Sequence, residues 1–98
     1  MLFVIHNVDK PNSLELRVKT RPVHVEYLNS HKNLFVAGPT VTDDDTIMNG
    51  SVLIIDVPDR AAAEAFADGD PYAKAGLFAS RTITPWRLTV FNPDAVKK

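Results

Sequence analysis

The chain has 98 residues, 45% hydrophobic and 23% charged, the length and balance of one soluble domain with a single core. Eleven basic residues against 12 acidic ones leave no positive field of the kind that holds a nucleic-acid backbone, which excludes DNA and RNA as expected partners. The chain has no cysteine, so disulfides, thiolate zinc sites and a cysteine nucleophile are excluded, and a reducing compartment fits.

The opening "MLFVIHNVDK" has no basic n-region and only about five consecutive apolar residues, and no later run nears the roughly twenty that cross a bilayer. The expectation is a cytoplasmic protein, mature from Met1, with no membrane partner. Leu2 to Val8 is a short apolar run closed by turn residues and predicts a buried strand. Asn12 or Ser13 can cap a helix opening at Leu14 and running to about Ser30. In it Leu14, Val18, Val25 and Leu28 fall within a stripe about 80° wide, the arc expected of a core-facing side. Pro22 interrupts that pattern and predicts a kink, or a break with a restart at the proline.

Asn33 to Pro39 reads as a second strand closed by Gly-Pro, followed by a loop from Thr40 to Gly50. Ser51 to Val57 is apolar at five of seven positions, too continuous for a strand with one wet face. Asp59 is the expected cap of an alanine-rich helix over Arg60 to Asp68, with Gly69 as its stop and a short helix after Asp70. The last strand is placed within Arg81 to Phe91, where Pro85 demands a bulge or an edge position and Trp86, Leu88 and Val90 alternate onto one face. The whole chain is read as one domain, 1–98, with 92–98 a loosely held tail.

The order is βαββαβ with an extra short helix, the α+β ferredoxin-like arrangement of a four-stranded antiparallel sheet with its helices on one face. Strands one and three are apolar on both sides, so the uncovered face would expose several hundred Å² of apolar surface. A homodimer pairing sheet on sheet is the expected solution.

Two segments carry candidate chemistry. Arg17, Arg21 and His24 stand at i, i+4 and i+7 of the first helix and share an arc of about 60° that overlaps the apolar stripe. The plain structural alternative is that both arginines snorkel to solvent and His24 makes one satisfied hydrogen bond. Asp70, directly before Pro71, has the signature of a helix cap. Capping is compatible with catalysis, because one carboxylate oxygen can take the amide and leave the other for an imidazole N–H. Tyr72 reads as packing first and as a proton donor second. His6 and His31 have no metal-ligand spacing to each other or to Asp43 to Asp45, so no metal is expected. Ser51 follows Gly50 without the flanks of a nucleophile elbow. The chain also lacks a phosphate loop and a dinucleotide fingerprint, and no cofactor is expected.

Taken together, "RPVHVEYL", "FVAGP", "GSVLIIDV", "DGDPYAKAGLF" and "ITPWRLTVF" resemble the YciI-like family, small ferredoxin-like proteins that dimerise through their sheets and are similar to muconolactone isomerases. The resemblance spans about Leu2 to Phe91. It implies a His-Asp active-site pair, here His24 and Asp70, with Gly38-Pro39 and Gly50-Ser51 around the cleft. The segment between the first helix and "NLFVAGP" is shorter than the family's, and the acidic loop Thr42 to Thr46 departs from its pattern.

A carboxylate beside an imidazole favours the protonated ring and fixes its tautomer, which suits general acid/base work. Without a cysteine, a serine elbow or a metal set, proton transfer at an activated carbon asks least of these residues, whether as isomerisation, elimination or lactone chemistry. Arg21, and Arg17 after it, is the candidate partner for an anionic small-molecule substrate, with Gly38, Ser51 and Tyr72 as further contacts. The competing reading is a noncatalytic metabolite- or protein-binding dimerisation module.

Overall fold

The computed structural model describes residues 1–96. Strand β1 is Leu2–Asp9, helix α1 Leu14–Asn29, β2 Leu34–Val41, β3 Met48–Asp56, α2 Arg60–Gly69, α3 Pro71–Lys74 and β4 Phe78–Trp86. The strands form one antiparallel sheet in the order β2-β3-β1-β4, with the two apolar strands at its centre. This is the ferredoxin-like α+β fold.

Period-two alternation sets the core. Phe3 and Ile5 of β1 stand beside Ile55 and Leu53 of β3 in register, and all four are fully buried beneath Ala63, Phe66 and Ala67 of α2. Each such aliphatic or aromatic side chain contributes roughly 1.5–3 kcal/mol by leaving water. On the opposite face Leu2, Val4, Val52 and Ile54 are half-buried, while Val8 and Val36 are exposed.

Local capping follows the sequence at two helices and departs from it at the third. Asp59 Oδ1 accepts the Ala62 amide at 2.9 Å, and Asp70 accepts the Tyr72 amide at 2.9 Å with Pro71 in the first turn of α3. Ser13 occupies the cap position of α1 without capping it; its hydroxyl donates instead to the Pro11 carbonyl. Asn12 has φ 59° and makes the turn.

Of the apolar stripe on α1, Leu28 alone packs against the core among the described residues. Leu14, Val18 and Val25 are 44%, 50% and 45% exposed, and the helix residues that are buried are Arg17 and His24. The helix turns Arg17 and His24 inward together with Tyr27 and Leu28, and the two polar residues find buried acidic partners there, described below. Pro22 does not break the helix, which runs unbroken through it. Pro22 is exposed, so the carbonyl freed by its missing N–H can be hydrated.

Four strand boundaries also move. β2 extends to Val41 and β3 begins at Met48, which shortens the acidic loop to a turn in which the Thr42 amide bonds the Ile47 carbonyl. β4 starts three residues before the sequence places it and stops at Trp86, not near Phe91. Its start follows Gly76, whose φ of 77° turns the chain. Its end is set by pairing: among the described residues β1 is its sole neighbour, and Trp86 lies opposite Leu2, the first residue of β1. Leu88 and Val90 therefore have no strand to join and are exposed. Pro85 sits in this edge strand, where a missing donor is tolerated. Of the expected tail, Pro93–Ala95 form one 3-10 turn, and residues 97 and 98 lie outside the described residues.

Among the described residues no helix is long and apolar enough to cross a membrane.

Candidate functional site

A cavity of about 250 Å³ opens between α1 and the β2-β3 side of the sheet. An engineered apolar cavity of roughly 150 Å³ holds benzene, so this one has room for a single ring with a few substituents. Val25 and Leu28 line it from α1, Ala37, Gly38 and Pro39 from β2, and Met48, Ser51 and Leu53 from β3. Its polar wall is the inward face of α1, comprising Arg17, Arg21 and His24.

His24 is held from behind. Its Nδ1 lies 2.8 Å from Oδ1 of Asp70, and both residues are at least nine-tenths buried. A carboxylate only accepts hydrogen bonds, so Nδ1 carries a hydrogen, and in the neutral ring Nε2 is the nitrogen with the lone pair. Among the described residues Nε2 has no hydrogen-bond partner. Asp70 uses one oxygen for two jobs, since Oδ1 also takes the Tyr72 amide. The division of labour between two oxygens expected from the sequence is thus replaced by a shared acceptor. Tyr72 stacks on the imidazole at 3.8 Å between ring centroids and 17° between planes. Tyr72 is almost wholly buried behind His24 and is no part of the cavity wall, which corrects its place among the expected substrate contacts.

The two arginines differ in what they have left to offer. Arg17 does not snorkel: it is buried, with Nε 2.7 Å from Asp9 Oδ2, one terminal nitrogen 3.1 Å from Asp9 Oδ1, and the same nitrogen donating to the Gly50 carbonyl at 2.8 Å. Its guanidinium also lies 4.7 Å from the centre of the Tyr72 ring. Nε and this terminal nitrogen hold α1 to the sheet, while Arg17 also lines the cavity. Arg21, half-buried, has one side-chain hydrogen bond among the described residues, to the Met48 thioether at 3.4 Å, a weak acceptor. Among the described residues that line the cavity, Arg21 is the cation without a salt-bridge partner, and it gives the cavity a positive bias.

Ser51 faces the cavity and accepts a 3.2 Å hydrogen bond from Asn7 Nδ2. Asn7 is buried, and its Oδ1 has no hydrogen-bond partner among the described residues. Sequence reasoning passed over Asn7 and Asp9, although a signal was present: Asn7 follows Phe3 and Ile5 at period two and so had to point inward. Asp9 follows the same parity, but β1 shifts register between Val8 and Asp9, which alternation cannot foresee. His6 is exposed on the open sheet face and His31 packs on Tyr27, both away from the cavity. Among the described residues no cluster of metal-ligating side chains exists.

Residues 1–87 match the model of the YCII-related domain. The chain belongs to the YCII-related family. Two relatives share its length. Protein YciI of Escherichia coli is 35% identical over 89% of this chain and 97% of its own, and an uncharacterized protein of Haemophilus influenzae is 33% identical over the same shares. Among solved structures, a 5-chloro-2-hydroxyhydroquinone dehydrochlorinase from Burkholderia phenoliruptrix, in complex with 2,5-dihydroxybenzoquinone, superposes with a TM-score of 0.81 at 37% identity, covering 89% of this chain and 94% of that one. An antibiotic biosynthesis monooxygenase at 18% identity and TM-score 0.57, covering 92% of this chain and all of its own, shares the fold alone.

Proposed function

We propose that this family member is a small enzyme that moves protons on a compact ring-shaped substrate bearing an acidic oxygen. The observation that carries the reading is the buried 2.8 Å contact of His24 Nδ1 with Asp70 Oδ1, on a helix face that also lines a one-ring cavity. His24 Nε2 is the base, Asp70 holds the ring in the tautomer that exposes that lone pair, and the Asp70 charge stabilises the imidazolium once it forms. Arg21 faces the developing negative oxygen, and the apolar wall of Leu53, Pro39 and Val25 holds the ring.

For an elimination the electrons balance without a cofactor. His24 takes a proton from a carbon, the electron pair of the broken C–H bond becomes the new double bond, and the leaving group departs with its own bonding pair as an anion. Isomerisation uses the same first step and returns the proton at another carbon. A structural neighbour named a dehydrochlorinase, bound to a dihydroxybenzoquinone, supports elimination on an oxygenated ring as the first chemistry to assay.

The reading includes a homodimer. The open sheet face carries Leu2, Val4, Val36, Val52 and Ile54, an apolar patch of the kind soluble monomers keep small, and a second copy laid face to face covers it. The deciding experiment for the enzyme is a pH–rate profile on chlorinated or hydroxylated hydroquinones, run beside His24→Ala and Asp70→Asn. Turnover that survives both changes removes the proposed roles.

A further inference from the structure

We infer that Asn7 is a positioning residue that makes Ser51 a hydrogen-bond donor to a negatively charged ligand oxygen. The inference rests on the proposed cavity chemistry and names the ligand group that the β3 wall selects. Asn7 stands at the third inward position of β1, opposite Ser51 in register. It is 2% exposed and Ser51 3%. Nδ2 of Asn7 donates to Ser51 Oγ at 3.2 Å. A hydroxyl whose oxygen accepts that bond keeps its own hydrogen for something else, and Ser51 lines the cavity.

Oδ1 of Asn7 is the one buried side-chain polar atom without a partner among the described residues. Turning the amide over does not relieve this. Oδ1 would then accept the Ser51 hydrogen, Nδ2 would be the unpaired atom, and the cavity would lose its donor. An apolar residue at position 7 would avoid the cost of an unmet buried group. Within the site the amide has a use: in a cavity biased positive by Arg21, an oxyanion selects the orientation in which Asn7 donates to Ser51 and Ser51 donates to the ligand. Each bond in that chain polarises the next. A neutral hydroxyl, which needs an acceptor, is served less well. The pair therefore reads the ionisation state of the ligand, favouring phenolate or enolate over phenol.

The test uses 4-nitrophenol, whose visible absorbance reports its own ionisation, titrated against pH with and without saturating wild-type protein, Asn7→Asp or Ser51→Ala. The wild-type protein is expected to lower the apparent pKa of the bound dye. Asn7→Asp keeps the side-chain shape but offers only acceptors, so it draws the Ser51 hydrogen to itself and the dye's pKa returns to or above its free value. Ser51→Ala weakens phenolate binding at least about tenfold, the loss expected for one charge-assisted hydrogen bond. Wild-type-like dye titrations in both variants would overturn the inference while leaving the His24 chemistry standing. A dye that does not bind the wild-type protein removes both the inference and the cavity as a phenolate site.

Discussion

Oδ1 of Asp70 is the meeting point of two hydrogen bonds, one from His24 Nδ1 at 2.8 Å and one from the Tyr72 amide at 2.9 Å. The cap that starts α3 is therefore the same atom that orients the imidazole, and a substitution can separate the two jobs. Asn at position 70 still caps a helix, so Asp70→Asn is expected to leave the melting temperature within a few degrees of wild type while lowering turnover. Asp70→Ala loses the cap as well and is expected to cost about 0.5–2 kcal/mol. His24→Ala is expected to lower the rate by about 10²- to 10⁴-fold, the usual worth of a positioned base. Thermal melts of the three variants beside their rates check the separation. Equal stability losses in Asp70→Asn and Asp70→Ala would show that the charge, rather than the cap, holds the fold.

The arginines make a second contrast. Arg17 and Asp9 form a buried bidentate pair with side chains only 3% and 6% exposed, and removing one partner strands the other charge in the interior. Asp9→Ala is expected to destabilise by about 3–5 kcal/mol. Arg21 has no acidic partner to abandon, so Arg21→Ala is expected to change stability by under about 0.5 kcal/mol, as for a typical surface change. Its loss should appear instead as a weaker affinity for an anionic ring. Urea midpoints for both variants, with benzoate binding measured on Arg21→Ala, distinguish the structural arginine from the ligand-facing one.

How much of this could be read in advance depends on what a pattern can encode. The apolar runs Leu2 to Val8 and Ser51 to Val57 announce the centres of β1 and β3, though not the start of β3 at Met48, and Asp59 and Asp70 are legible from the chemistry of caps. The pair His24 and Asp70, 46 positions apart, was reached through a family resemblance, since spacing alone cannot bring a helix face to a distant loop. The orientation of α1 was misread because a hydrophobic stripe counts only apolar side chains. Arg17 with Asp9 and His24 with Asp70 bury polar groups in pairs, and the partner that makes burial tolerable is invisible from the helix itself. The end of β4 was misread for a related reason: Leu88 and Val90 have strand character, but a strand needs a neighbour, and β1 begins opposite Trp86.

The open face of the sheet sets the third prediction. Val52 and Ile54 of β3 stand beside His6 and Val4 of β1, and a specific dimer buries about 800 Å² on each partner. Ile54→Glu adds a charge at its centre without touching the helix-side core. Sedimentation velocity at micromolar concentration is expected to give a dimer for the wild-type chain and a monomer for Ile54→Glu, with far-ultraviolet circular dichroism unchanged. A wild-type monomer would end the sheet-pairing proposal.

Alkaline pH tests the back of the site. The Tyr27 hydroxyl donates to the Phe66 carbonyl at 2.8 Å. Burial first, and the Asp70 charge second, hold its phenol above the ordinary tyrosine value. The fold thus prefers the neutral phenol. That contribution to stability is intact below the unfolded tyrosine value of about 10 and is lost as pH rises through the higher folded value. Tyr27→Phe gives up the hydrogen bond to Phe66, a cost of about 1 kcal/mol at neutral pH, and also removes this group's alkaline dependence. Urea midpoints followed from about pH 8 to pH 11 are expected to fall less steeply for Tyr27→Phe than for the wild-type protein. Position 69 offers an independent check, because a Cβ there would stand 2.5 Å from the Tyr27 hydroxyl oxygen. Gly69→Ala must push the phenol off the Phe66 carbonyl, and it is expected to lose stability at neutral pH as Tyr27→Phe does. A Gly69→Ala protein more stable than wild type by the full helix-propensity gain of replacing a glycine, about 0.5–1 kcal/mol, would mean that the Tyr27 contact contributes nothing to the fold.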